Sequence, residues 1–283
     1  MKEIINHKGL IKSLLFIPVI FVSEIIGYLL IVFFGFEVLK SGTETSFNET
    51  SLAIQKIFSL LITLLLIWVF MRYIDKQHFI KLGFQINNRF KDFLCGILLG
   101  FSIMFVAFLI LLFLEQITFT GLNFDINRIL VLILLFVVGS VYEEVIFRGY
   151  VLKNLLETFN PIKALFISSL FFSIIHGSNP NVTILGLSNI FLAGFFLGTS
   201  YIFTKNLWFP VALHFSWNFF QSIFGFRVSG LDFYSVIEFD IIENNFLNGG
   251  EFGFESSILS NAILVLSTLL IWKYFSSTVQ KNI

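Results

Sequence analysis

Charge is what this sequence has least of. Of its 283 residues, 13% are Asp, Glu, Lys or Arg, against about 25% in a soluble domain. So few polar groups cannot cover a water-facing surface around a chain that is 57% hydrophobic, with a mean hydropathy of +0.90. A soluble enzyme and a disordered chain are therefore excluded. Neither sign of charge dominates, with 18 basic and 18 acidic residues. No basic excess points to a polyanion, so a nucleic-acid partner is not expected. The single cysteine, Cys95, cannot form an internal disulfide. Internal repeats, low-complexity tracts and a soluble domain are also missing.

What the chain has is apolar length and 40 phenylalanines. Apolar runs fall at about 13–36, 57–71, 93–114, 129–147, 162–177, 183–204, 207–226 and 257–272. The runs lack the alternation of a membrane barrel, and open sheet edges cannot face lipid. The expected fold class is all-α: one polytopic bundle of about eight transmembrane helices, a single domain over 1–283. Lys2 and Lys8 precede the first run as in a signal peptide, but the run is too long and lacks a cleavage site, so it reads as an uncleaved span. With the N-terminus in the cytoplasm, 14 Lys and Arg fall on the cytoplasmic side. Only Lys40, Lys56, Arg128 and Arg227 fall outside. The positive-inside rule then gives N-in, C-in. The acidic 227–256 loop lies outside, with Asp232, Glu238, Asp240, Glu243, Glu251 and Glu255.

Ionisable residues inside spans cost at least ~2.5–3.5 kcal/mol each, so they mark candidate chemistry. The densest cluster is Glu143-Glu144-Val145-Ile146-Phe147-Arg148-Gly149, ending the fourth run. Glu144 and Arg148 are i,i+4 in the favourable acid-first order and neutralise each other. Glu143 projects ~100° around the helix and is left free. Alone, the cluster also reads as a structural ion pair. The second feature is Phe172-Ser173-Ile174-Ile175-His176, near the end of the fifth run. A lone histidine there is more often a packing residue. The third is His214-Phe215-Ser216-Trp217-Asn218 in the seventh run, where His214 and Asn218 share one face. Interhelical hydrogen bonds are the plain alternative. Taken together, a carboxylate, two imidazoles and a carboxamide are the parts of a water-activating site. Glu143 is the candidate base, and His176 shares that role or binds metal. His214 and Asn218 are candidate oxyanion donors.

The three motifs, E-E-x-x-x-R, F-x-x-x-H and H-x-x-x-N in that order, resemble the CPBP family of intramembrane proteases, also called CAAX protease and bacteriocin-processing proteins or type II CAAX endopeptidases. Phe147 and Gly149 extend the first motif, and Leu207-Trp208-Phe209-Pro210 resembles the family's lead-in to the third. The resemblance covers about 129–220. It implies an eight-helix bundle with a catalytic cavity inside the membrane, formed by Glu143, His176, His214 and Asn218 and supported by Glu144 and Arg148. The implied partners are a peptide or membrane-protein substrate and the lipid bilayer of the cell membrane, with the protein as a monomer. Two mechanisms stand open: Zn²⁺ held by Glu143, His176 and His214, or a metal-free glutamate–histidine base. A non-enzymatic membrane immunity or scaffold protein, binding a peptide in the same cavity, is the rival class. Other membrane proteases fit poorly: H-E-x-x-H, G-x-S-x-G and paired intramembrane aspartates are all missing.

At 1.5 Å per residue, Glu143 lies ~7 Å from Arg148, His214 ~12 Å from Asn206 and His176 ~20 Å from Lys163. These levels approach one another if the fourth helix continues to about Leu155, burying Arg148. His176 is still expected to lie deeper than the rest. Among lesser features, Glu24 points into the bundle, with substrate gating a minor alternative. The G-x-x-x-G pairs Gly96/Gly100 and Gly194/Gly198 are expected to pack helices within the bundle, and Asn189 to make an interhelical hydrogen bond.

Overall fold

The structure is a computed structural model that describes residues 8–36 and 48–281, the side chains as far as residue 277. Lys2 and Lys40 of the topology count lie outside the described residues, as does the side chain of Lys281. Eight helices form the bundle: α1 (Lys8–Phe33), α2 (Glu49–Ile74), α3 (Phe90–Phe113), α4 (Ile126–Leu155), α5 (Pro161–Ile175), α6 (Ile184–Thr204), α7 (Trp208–Ile223) and α8 (Ile258–Lys281). Their starts follow local chemistry. Asn48, Asp125, Asn160 and Thr183 each accept a backbone N–H from the first turn that follows, filling donors the helix leaves unpaired.

Among the described residues, seven helices are long and apolar enough to cross a membrane, the fifth counted through Ser178. The expectation of about eight transmembrane helices is met by these eight, of which α7 is the short one. It has 16 residues, ~24 Å against a hydrocarbon core of ~30 Å. It need not reach both surfaces because it is enclosed by protein. Asn206 and Leu207, just before it, are themselves buried. They are held by Gly83 and Gln85, whose carbonyls accept from Leu207 N and Asn206 Nδ2, each at 2.8 Å. Gly96 and Gly100 of α3 face α7 so closely that a Cβ would come within 2.8 Å of Phe209 O and 2.7 Å of Ser216 Cβ. Gly194 does the same on α5, where Ser169 Cβ lies 2.7 Å from such an atom. Both glycine pairs therefore pack helices inside the bundle.

Two features were not expected from the sequence. From Val145 to Leu152, α4 widens into a π-helix, a distortion found mostly at functional sites. A two-stranded antiparallel sheet pairs β1 (Ile117–Leu122) with β2 (Ile237–Ile241), with an irregularity between Phe119 and Gly121.

The two ends of the bundle carry separate charge networks. At one, Lys12 pairs with Asp75 at 2.8 Å and Glu157 at 3.4 Å, and Lys153 donates to Gln77. At the other, Arg128 pairs with Glu49 at 3.1 Å, and Arg227 with Glu251. These are the groupings the positive-inside count assigns to the inner and outer sides.

Candidate active site

Helix α4 carries the two adjacent glutamates into different surroundings. Glu144 is fully buried and accepts from Arg148 Nη1 at 2.7 Å. The same oxygen lies 2.9 Å from His214 Nδ1. Arg148, also buried, donates to Gly194 O and lies over the Phe172 ring. This charge is thus spent inside the protein, as the i,i+4 spacing implied.

Glu143 faces a cavity of about 300 Å³. Its Oε2 is buried without a hydrogen-bond partner, 3.8 Å from His176 Nε2 and 3.9 Å from His214 Nε2. Neither separation is a hydrogen bond. His176 Nδ1 lies 2.7 Å from Phe172 O. A carbonyl and an arginine-paired carboxylate only accept, so Nδ1 donates in both rings. Each Nε2 is thereby turned toward Glu143. Asn218 lines the same cavity one turn beyond His214, with no hydrogen bond among the described residues. All four site residues read from the sequence therefore meet.

The depth mismatch resolves. Helix α4 does run to Leu155, which places Glu143 ~18 Å from its inner end and His176 ~20 Å from Lys163. The expectation that His176 lies deeper is corrected. The misleading count was the one for His214, because α7 starts from the buried Asn206 and Leu207 rather than from the surface.

The sequence reading missed Lys56, Ser229 and Glu255, which also line the cavity. Glu255 was seen only as one acid among many in an outer loop, where no helical phase tells which way a side chain points. Its Oε2 accepts from Ser229 N at 2.6 Å and Ser229 Oγ at 2.9 Å. Burial pushes its carboxyl up to about 7, against the pull of those two bonds. Glu24 pairs with Lys56 at 2.8 Å, tying α1 to α2. Asn189 donates to the carbonyls of Glu255 and Ser257 and accepts from Asn261 of α8, the interhelical role expected of it.

The donor types suit zinc, and both imidazoles have the hydrogen-bonded Nδ1 that metal ligands show. The spacing does not suit it. Ligand atoms on a tetrahedral zinc stand about 3.4 Å apart for bonds of about 2.1 Å, closer than the 3.8 and 3.9 Å seen here. Among the described residues, no group of three His, Cys, Asp or Glu is placed to hold a metal ion.

Fold and site together define a class: a multi-pass α-helical membrane protein with a glutamate and two histidines converging on an internal cavity. Residues 125–220 match the family model described as type II CAAX prenyl endopeptidase, Rce1-like. The match spans about a third of the chain and agrees with the resemblance carried by the three motifs. No curated protein and no solved structure matches the chain.

Proposed function

We propose that this chain is an intramembrane endopeptidase in which Glu143 activates the hydrolytic water. The observation that carries the reading is the unpartnered Glu143 Oε2 between two imidazole Nε2 atoms. A water within about 3 Å of the carboxylate and an imidazole gives one proton to Glu143 as it attacks the peptide carbonyl. Asn218 donates its carboxamide N–H to the developing oxyanion, and His214 joins it in its imidazolium form. Glu143 then returns the proton to the leaving amine. Glu144 and Arg148 act through position: the carboxylate holds His214 Nδ1–H, and the guanidinium holds the carboxylate. His176 Nε2 orients the water. No step is routed through a metal.

The family match supports proteolysis of a peptide at the membrane. The test is incubation of the purified chain with a peptide library, with and without phenanthroline. New carboxyl termini at defined bonds, formed equally in both, are the expected result. Peptide binding without cleavage would instead favour a scaffold.

A further inference from the structure

The cavity has a direction. On α4 it is lined by Leu135, Phe136, Gly139 and Glu143, and by nothing beyond Glu143 toward Leu155. The residues inward of it, Glu144 to Leu152, are all buried. On α7 the lining runs from Leu213 to Asn218, toward the end that leads into the 227–256 loop. Helices α2 and α8 contribute only their first two turns, Leu52 and Lys56 from one, Ser260 and Leu264 from the other. The α2, α4 and α8 segments lie outward of Glu143, the α7 segment runs outward from its level, and α6 lines the cavity from Asn189 as far in as Leu197, near the Gly194 carbonyl that Arg148 holds. Over them sit Asn179, Ser229 and Glu255 from loops at that end. The positive-inside count makes this the outer end, the one that carries Arg128 with Glu49 and Arg227 with Glu251. Inward, the way is closed by the buried Glu144–Arg148 pair and by Tyr150, Leu152 and Leu155, none of them exposed.

We infer that the site is entered from the outer, lysine- and arginine-poor side of the membrane. Its substrate is then a peptide segment already across the bilayer, not a cytoplasmic tail, and apolar enough to lie against Phe136, Phe172 and Trp217. Gly139 supports this. It sits one turn outward of Glu143 on the same face, and a Cβ there would meet nothing within 4 Å. A glycine inside a helix costs about 1 kcal/mol against alanine, and here no neighbouring group packs into the space it leaves. The substrate assignment rests on the proteolytic reading, while the direction of access does not.

The test uses the full chain in cells and in sealed vesicles, in a Cys95→Ser background. Cysteines are introduced at Gly139 in the cavity, at Asp232 in the outer loop and at Lys163 at the inner end. A membrane-impermeant methanethiosulfonate should modify Gly139→Cys at least ten-fold faster in intact cells than in inverted vesicles. Asp232→Cys should follow it, and Lys163→Cys should show the reverse. Equal rates at Gly139→Cys, reaction from neither side, or faster reaction in inverted vesicles overturns the inference, as does exchange of the two controls. An impermeant peptide cleaved in detergent should also be cleaved by right-side-out vesicles and spared by inverted ones; the opposite pattern counts against outer access. Absence of cleavage even in detergent removes the proteolytic reading, while the labelling rates still decide the side of access.

Discussion

Helix α4 joins two environments at one peptide bond. Inward from Glu144 the buried charges are paired, Glu144 with Arg148 and His214, and Asn154 donates to the Tyr150 carbonyl, although Glu144 Oε2 and Asn154 Oδ1 are enclosed there without a hydrogen-bond partner. Outward, the same helix borders a cavity, where Glu143 Oε2 and Asn218 have no hydrogen-bond partner among the described residues. Both regions hold a glutamate in an apolar bundle. In one the charge is compensated and builds structure. In the other it faces a cavity that a ligand or water can enter, and binding there would recover the about 1–3 kcal/mol that an unsatisfied buried group costs.

Arg148→Ala tests the paired side hardest. It strands a buried carboxylate, and should lower stability by about 3–5 kcal/mol, read as the shift in denaturant midpoint of the detergent-solubilised chain. A change under 1 kcal/mol would erase the distinction between the halves. Asn218→Ala probes the open side: turnover should fall about 100- to 1000-fold, as for one lost oxyanion donor, with the unfolding midpoint unchanged. An equal loss of stability would make Asn218 structural. Metal content sharpens the comparison further. Elemental analysis of the purified chain should find zinc well below one per molecule, and His214→Ala should not alter it. Stoichiometric zinc that His214→Ala removes would mean the three groups close to bonding distance around a metal. The last prediction concerns the loops over the cavity. With Glu255 lifted by burial from 4.5 to about 7, the native state holds a proton that the unfolded chain has already lost between those values. Stability should therefore decline as pH rises from about 4.5 to 7 and level off above, by linkage. Glu255→Gln should flatten that stretch of the pH profile; an unchanged slope would assign it to another group.

The bundle was legible because membrane insertion writes long apolar runs and a lysine–arginine bias into a sequence. The site was legible where helical phase applied: Glu143 against Glu144, Glu144 with Arg148, His214 with Asn218. Features that depend on tertiary contacts or on backbone detail were not. The shortness of α7 depends on burial by the 79–86 segment, which is a tertiary fact. The π-helix at 145–152 leaves no mark on apolar periodicity. The two-stranded β1–β2 sheet pairs residues more than a hundred positions apart, and Ser229 and Glu255 reach the cavity from the segments before and after β2. Lys56 was placed by its charge as an outer-side cation, although it lies within α2 and lines the cavity beside Glu24.

The most direct test of the central claim is hydrolysis in H₂¹⁸O by purified wild-type, Glu143→Gln and Glu144→Gln chains. Wild type should place one ¹⁸O in each new carboxyl terminus. Glu143→Gln should retain the wild-type unfolding midpoint and lose turnover by about 10²–10⁴-fold, the range for a general base. Glu144→Gln should lose stability as well as rate, because it unpairs Arg148. Near-wild-type ¹⁸O incorporation by a folded Glu143→Gln chain would contradict the account.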